Sequence, residues 1–209
     1  MSSATITTSA RLINSTPQTE EQAMVRKVAV SSFLGNFIEW FDYASYSYFA
    51  TTIALVFFPT DNHTVAMLQT FGVFALSFIL RPIGALFWGS YGDKKGRKAA
   101  LAHSIMFMSG ASFLIGCLPS YSVIGVGAPI LLLLLRMVQG FSASGEYAGA
   151  ATFLGEYAPT SKRGIYCSLI PASTAIGLLA GSTLATLMTA NMNSSAMVGW
   201  GWRVPFLLA

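Results

Sequence analysis

Charge is scarce in this chain. Its 209 residues include only 12 lysines and arginines and 8 aspartates and glutamates, 10% of the total. Soluble domains carry about 25%, and so little charge cannot cover a globule with a wettable surface. Cysteine is nearly missing too. Cys117 and Cys167 both lie inside apolar runs, which excludes a disulfide framework or a zinc ribbon, and they read as small hydrophobes in helices. His63 and His103 stand apart from each other and from the cysteines, so no cluster has metal-ligand spacing. Neither H-E-x-x-H nor G-x-S-x-G occurs. No metal, no cofactor and no enzymatic chemistry are therefore expected. The net charge of +4 does not point to nucleic acid either, because the basic residues form short clusters between apolar runs instead of one basic face.

What is present is apolar, with hydrophobic residues making up 54% of the chain. Residues 1–25 are polar and rich in Ser and Thr, without the apolar stretch of a signal peptide, and are expected to form a disordered cytoplasmic tail. Five apolar segments follow, at about 28–58, 65–91, 99–118, 124–155 and 165–190, and a sixth opens at 202–209. Each of the five can supply the ~20 residues needed to cross a bilayer core. Helix is the expected form, since lone strands leave backbone groups unpaired in lipid. The fold expected is all-α, a polytopic membrane bundle over 26–209 that reaches only the start of a sixth helix, with the remainder of a longer bundle missing.

The loops set an orientation. Arg26 and Lys27 precede the first segment, Lys94, Lys95, Arg97 and Lys98 lie between the second and third, and Lys162 and Arg163 between the fourth and fifth. The alternate loops lack Lys and Arg until Arg203. The positive-inside rule then places the N-terminus in the cytoplasm of a cell with the bundle in its cytoplasmic (inner) membrane.

Several charges fall where a membrane segment should have none. Glu39 and Asp42 lie in the first segment, Arg81 in the second, and Arg136 and Glu146 in the fourth, with Glu156 near its end. A charge at the bilayer centre costs about 2.5–3.5 kcal/mol on insertion scales, so such residues face a cavity or a partner. Asn36, Glu39, Tyr43 and Tyr46 step by three or four residues and share one helix face, which Asp42 adjoins. Arg136, Gln139 and Gly140 share a face of the fourth helix. Glu146 lies about 80° further round and ~15 Å along from Arg136, so those two do not pair directly. Small residues repeat at four-residue intervals at Gly140, Ser144, Ala148 and Thr152 and at Gly177 and Gly181, a pattern that lets helices approach closely. In the loop Gly89-Ser-Tyr-Gly-Asp93-Lys-Lys-Gly96-Arg97-Lys98, Gly96 can adopt the positive φ of a tight turn. Asp93 is ill placed for its own helix dipole and must gain from another partner.

That loop resembles the major facilitator signature G-x-x-x-D-x-x-G-R-[RK]. Arg136-x-x-Gln139-Gly140 resembles the superfamily's fourth-helix motif, and Glu156-x-Ala-Pro159-x-x-x-Arg163-Gly164 resembles its loop between helices four and five. More narrowly, Gly35-Asn-Phe-Ile-Glu39-Trp-Phe-Asp42-Tyr43, Arg81-Pro-Ile-Gly84, Gln139-Gly-Phe-Ser-Ala-Ser-Gly145-Glu146-Tyr and Trp200-Gly-Trp-Arg203-Val-Pro-Phe are similar to stretches of metabolite/proton symporters, the carriers of proline/betaine, α-ketoglutarate, citrate and shikimate. Ala143-Ser144 departs from the more usual Val-Gly, and Tyr43 stands where Phe is common. The resemblance implies twelve helices in two halves, alternating access, and cotransport of protons with a small organic solute. It implies a cytoplasmic latch made by the Asp93/Arg97 and Glu156/Arg163 loops, and an Arg136 tied to proton coupling. Proton coupling or substrate contact is expected at Glu39, Asp42, Arg136, Asn36, Tyr43, Gln139, Glu146 and Arg81, and gating at Gly89, Asp93, Gly96, Arg97, Lys98, Glu156 and Arg163. A zwitterionic osmolyte and an organic acid both remain open as the solute. So does a receptor or assembly subunit that moves nothing.

Overall fold

The computed structural model describes residues 3–208 except 145–148, 150, 152–153 and 157, and describes residues 3–22 by their backbone alone. Among the described residues the structure is helical throughout, without strands. Helix α1 runs Ser3–Tyr48 and α2 Ala50–Phe57, α3 His63–Ile79 and α4 Arg81–Lys95, α5 Arg97–Cys117, α6 Tyr121–Ile124 and α7 Gly127–Ala143. They are followed by α8 Arg163–Asn191, α9 Ser194–Gly199, a 3-10 turn Gly201–Arg203 and α10 Val204–Leu208.

Helix α1 begins at Ser3, upstream of the first apolar segment. A hydrophobic face is not needed for a helix to continue upstream, and the Glu-Glu-Gln-Ala-Met run at residues 20–24 consists of strong helix formers. The first two apolar segments are each broken once. The first breaks at Phe49, between α1 and α2. The second breaks at Leu80, where Pro82, which has no N–H to give, opens α4.

Three stretches among the described residues are long and apolar enough to cross a membrane: His63–Lys95, Arg97–Cys117 and Arg163–Asn191. Large apolar side chains such as Leu68, Leu86 and Leu179 are exposed on them. In water this would be a broad aggregation surface; against lipid tails it is solvated.

Lipid supplies no hydrophobic drive for helices to associate, so close packing and polar contacts must hold the bundle. Both are found at α1 and α8. A Cβ on Gly177 would lie 2.7 Å from the Phe37 carbonyl oxygen, and one on Gly181 would lie 2.6 Å from the Ala44 Cβ. The two helices therefore pack nearly backbone to backbone. Gly140 of α7 meets the Ser77 carbonyl of α3 in the same way, and Gly84 of α4 meets the Phe141 carbonyl of α7. Trp88 Nε1 also donates to the Phe141 oxygen at 3.1 Å.

At one end an aromatic and aliphatic cluster joins the rest of the bundle around Phe57, Ile115, Leu132, Trp202 and Phe206, all fully buried. At the other, Val25, Ala29, Leu154, Ala158 and Ile170 pack together. Between these apolar ends lies a polar layer.

Candidate functional site: two charge pairs inside the bundle

Asp42 points from α1 toward α5 and α7. Its Oδ2 accepts from Arg136 Nη1 at 2.5 Å. Its Oδ1 accepts from Gln139 Nε2 at 3.1 Å and from Ser112 Oγ at 3.1 Å. The network closes on itself: Arg136 Nη1 also donates to Gln139 Oε1 at 3.0 Å, and Gln139 Nε2 donates to Ser112 Oγ at 2.6 Å. Arg136 and Gln139 meet Asp42 together because they are one helical turn apart on α7. The guanidinium lies over the Tyr46 ring, 3.8 Å from its centroid, with Phe206 5.6 Å away. Tyr46 in turn donates its hydroxyl to the Thr70 carbonyl at 2.8 Å. The side chains of Arg136 and Asp42 are 1% and 0% exposed, so this pair is sealed from bulk solvent.

The contact differs from a two-pronged grip. Arg136 reaches Asp42 through one nitrogen, because the Gln139 amide and the Ser112 hydroxyl occupy the other carboxylate oxygen. Arg136 Nε and Nη2 are buried with no hydrogen-bond partner among the described residues.

Glu39, three residues before Asp42, faces a different arginine. Arg81 Nη2, at the start of α4, donates to Glu39 Oε1 and to the Tyr43 hydroxyl. The Arg81 side chain is 30% exposed while that of Glu39 is 3% exposed. The guanidinium lies 4.6 Å from the Phe78 ring centroid and 5.4 Å from that of Tyr43. Both members of this pair line a cavity of about 590 Å³ with Trp40, Phe78, Pro82, Ala85, Ala143 and Ser144. Periodicity puts Glu39 and Asp42 beside one another on α1 but does not say which arginine each one faces, and in the structure they part.

Asn36 leaves the stripe altogether. Its amide nitrogen donates to the Ile170 carbonyl at 3.0 Å, to Ser173 Oγ at 2.8 Å and to Thr174 Oγ1 at 2.8 Å, all on α8. It clasps two helices together, and its donors are spent there. Glu146 lies outside the described residues.

The loop residues form no joint cluster. Gly96 has φ of 93°, the left-handed conformation that lets α4 turn straight into α5. Asp93 lies 3.8 Å from Arg97, and both are exposed. Their closeness comes from the turn itself, with Asp93 at the end of α4 and Arg97 at the first position of α5. Lys98, Glu156 and Arg163 are exposed, as is Gly89, and no ion pair joins the two loops among the described residues. Ser112, Thr70, Ser173 and Thr174 went unnoticed in the sequence. Hydroxyls are common in membrane helices, and nothing in their spacing distinguishes these from the others.

A family model described as "Sugar (and other) transporter" matches residues 27–209. The chain belongs to this transporter family. Within it, the chain is 41% identical over 189 residues to the proline/betaine transporter of Salmonella typhimurium, covering 90% of this chain and 38% of that one. It is 42% identical over the same length to the glycine betaine/proline/ectoine/pipecolic acid transporter OusA of Dickeya dadantii, again 90% and 38%. A putative proline/betaine transporter of Staphylococcus aureus is 42% identical over 184 residues, 88% and 40%. The chain thus spans about two-fifths of the length of these relatives. Among solved structures, the major facilitator proton:xylose symporter XylE bound to 6-bromo-6-deoxy-D-glucose superposes with a TM-score of 0.76 at 16% identity, covering 90% of this chain and 42% of that one. The inward-open xylose transporter XylE from E. coli gives 0.69 at 18% identity, covering 88% and 44%. The family member described here therefore has the fold of an N-terminal portion of a twelve-helix major facilitator bundle, a multi-pass membrane protein.

Proposed function

We propose that the chain is the N-terminal half of a secondary transporter that carries a small organic solute together with protons across the cytoplasmic membrane. A zwitterionic osmolyte such as proline or betaine is the preferred solute, supported by the three relatives, which are named as transporters of proline and betaine. The observation that carries the reading is the presence of two buried carboxylate–guanidinium pairs on one membrane helix, one sealed and one open to a cavity. Mere scaffolding does not call for such pairs, because apolar side chains of similar volume hold helices together at least as well.

Symport needs a carboxylate that gains and loses a proton and a cation that responds. Protonating Asp42 or Glu39 cancels the attraction to its arginine, which then seeks another partner and alters which helices can close on each other. In the full-length carrier reconstituted in vesicles, Asp42→Asn is expected to abolish accumulation driven by a pH gradient, and Glu39→Gln to reduce it at least tenfold. Retention of proton-driven accumulation by both variants would falsify the assignment. An organic acid remains a second solute class, since a cavity arginine suits any carboxylate. Uptake of betaine, proline, citrate, α-ketoglutarate and shikimate by the intact carrier separates the two.

The basic clusters at residues 26–27, 94–98 and 162–163 support an N-terminus inside the cell. The Asp93–Arg97 turn and the loop that carries Glu156 and Arg163 then serve the inner gate. Asp93→Asn is expected to raise the labelling rate of a cysteine placed in the Gly89–Lys98 loop severalfold when the reagent is applied from the cytoplasmic side. An unchanged rate removes Asp93 from the gate, and labelling only from outside reverses the orientation.

A further inference from the structure

We propose that Arg81 is the seat of the solute's carboxylate, and that Glu39 occupies this seat until a proton displaces it. The inference rests on the transport reading above and gives the cavity-facing pair a task distinct from that of the sealed pair.

The two arginines differ in access. Arg136 is enclosed by Asp42, Gln139, Ser112 and Tyr46, and no solute can reach it without dismantling that network. Arg81 is part-exposed and lines the cavity. Among the described residues only its Nη2 is engaged, with Glu39 and Tyr43. A guanidinium presents a planar fork of donors suited to a carboxylate's two oxygens, and here a carboxylate of the protein already holds one edge of that fork. The arrangement is that of an internal ligand: Glu39 mimics the solute group that would replace it.

The exchange balances. A proton from cavity water adds to the Glu39 carboxylate, the Glu39–Arg81 charge contact is lost, and the solute carboxylate forms the contact in its place. Arg81 keeps one anionic partner before and after, so it is never left as a bare charge in a low-dielectric site, the state that costs most. The cycle then moves one proton with each carboxylate. The other end of a zwitterion has a place as well. Trp40 and Phe78 line the same cavity, and Trp40 stands edge-on to Tyr43 with centroids 5.8 Å apart. Aromatic faces attract an onium group that has no hydrogen to donate.

Among the described residues, the groups that set the protonation of Glu39 are few. Arg81 faces it from α4, and Tyr43 and Asp42 from α1; Asp42 is itself paired with Arg136 of α7. Phe74 and Phe78 of α3 are apolar, and the part of α8 packed on α1 here carries Ser173, Thr174 and Gly177.

The test uses purified full-length carrier and betaine, with betaine methyl ester as a probe that keeps the onium and loses the carboxylate. The wild type is expected to bind betaine more tightly as pH falls from 8 to 6 and to prefer it to the ester at least tenfold. Arg81→Gln should collapse that preference toward unity, and Arg81→Lys should restore part of it. Glu39→Gln, which imitates the protonated acid, should bind betaine at least as tightly as the wild type with an affinity that no longer changes with pH. An Arg81→Gln carrier that keeps the preference, or a Glu39→Gln carrier that keeps the pH dependence, overturns the proposal. Wild-type exchange of labelled for unlabelled betaine across vesicles is measured in parallel. Intact exchange with unmoved variants sinks this proposal alone, whereas no exchange of betaine, proline or the three organic acids sinks the transport reading with it.

Discussion

Replacing Arg136 with glutamine is expected to destabilise the full-length carrier by about 3–5 kcal/mol, the cost of leaving one member of a buried ion pair without the other. Asp42 is the reason. It is 0% exposed in its side chain, and the neutral donors that remain, Gln139 Nε2 and Ser112 Oγ at 3.1 Å each, cannot balance a full negative charge. Asp42→Asn combined with Arg136→Gln removes both charges and should recover most of the loss, because a neutral hydrogen-bonded pair avoids the desolvation problem. Thermal unfolding in detergent reads this directly: a low melting temperature for the single variant and a near-normal one for the double. The same double variant should fail to accumulate solute against a gradient despite being well folded. A single variant as stable as the wild type would mean that water or another residue compensates Asp42, and the sealed pair would no longer be a sealed pair.

The second large effect is steric. Gly140→Val should prevent the bundle from assembling, at a cost of at least about 3 kcal/mol, the upper range for overpacked interiors. The atom that a Cβ at this position would strike is the backbone carbonyl oxygen of Ser77. A side chain could rotate aside, but a carbonyl in a helix cannot, so α3 and α7 would have to separate. Separation would also lift Arg136 and Gln139, on the same face of α7, away from Asp42. Gly110, on α5, has nothing within 4 Å of the position a Cβ would take, and Gly110→Ala should leave yield and melting temperature unchanged. Detergent-extracted monomer yield and melting temperature compare the two. A well-folded Gly140→Val protein would show that the helices do not approach as closely as described.

The apolar spans were legible because bilayer thickness imposes a length that any reader of hydropathy can apply. Helices Arg97–Cys117 and Arg163–Asn191 lie over two of these runs. The breaks were harder to see. Pro82 marks the one at Leu80, yet proline is tolerated inside membrane helices, as Pro171 is within α8, so its presence alone does not decide. Phe49 carries no breaking signal at all. At the site, spacing grouped Asn36, Glu39, Asp42 and Tyr43 on neighbouring faces of α1, but a face has width, and α4, α5, α7 and α8 all meet it. Which arginine takes which carboxylate depends on the rotation and depth of α4 and α7 relative to α1. Those are set by Gly84, Gly140 and Gly177 at the contacts, and four-residue spacing of small residues says that a close contact exists without naming the helix across it.

Asn36, Gly177 and Gly181 weld α1 to α8, whereas α1 reaches α4 and α7 largely through the long side chains of Arg81 and Arg136. The α1–α8 pair is thus a two-helix lever resting on a separate slab of α3, α4 and α7, and the joint between them holds both ion pairs beside the rings of Tyr43, Tyr46 and Phe74. Titrating that one joint is the cheapest way to loosen the lever without disturbing either piece.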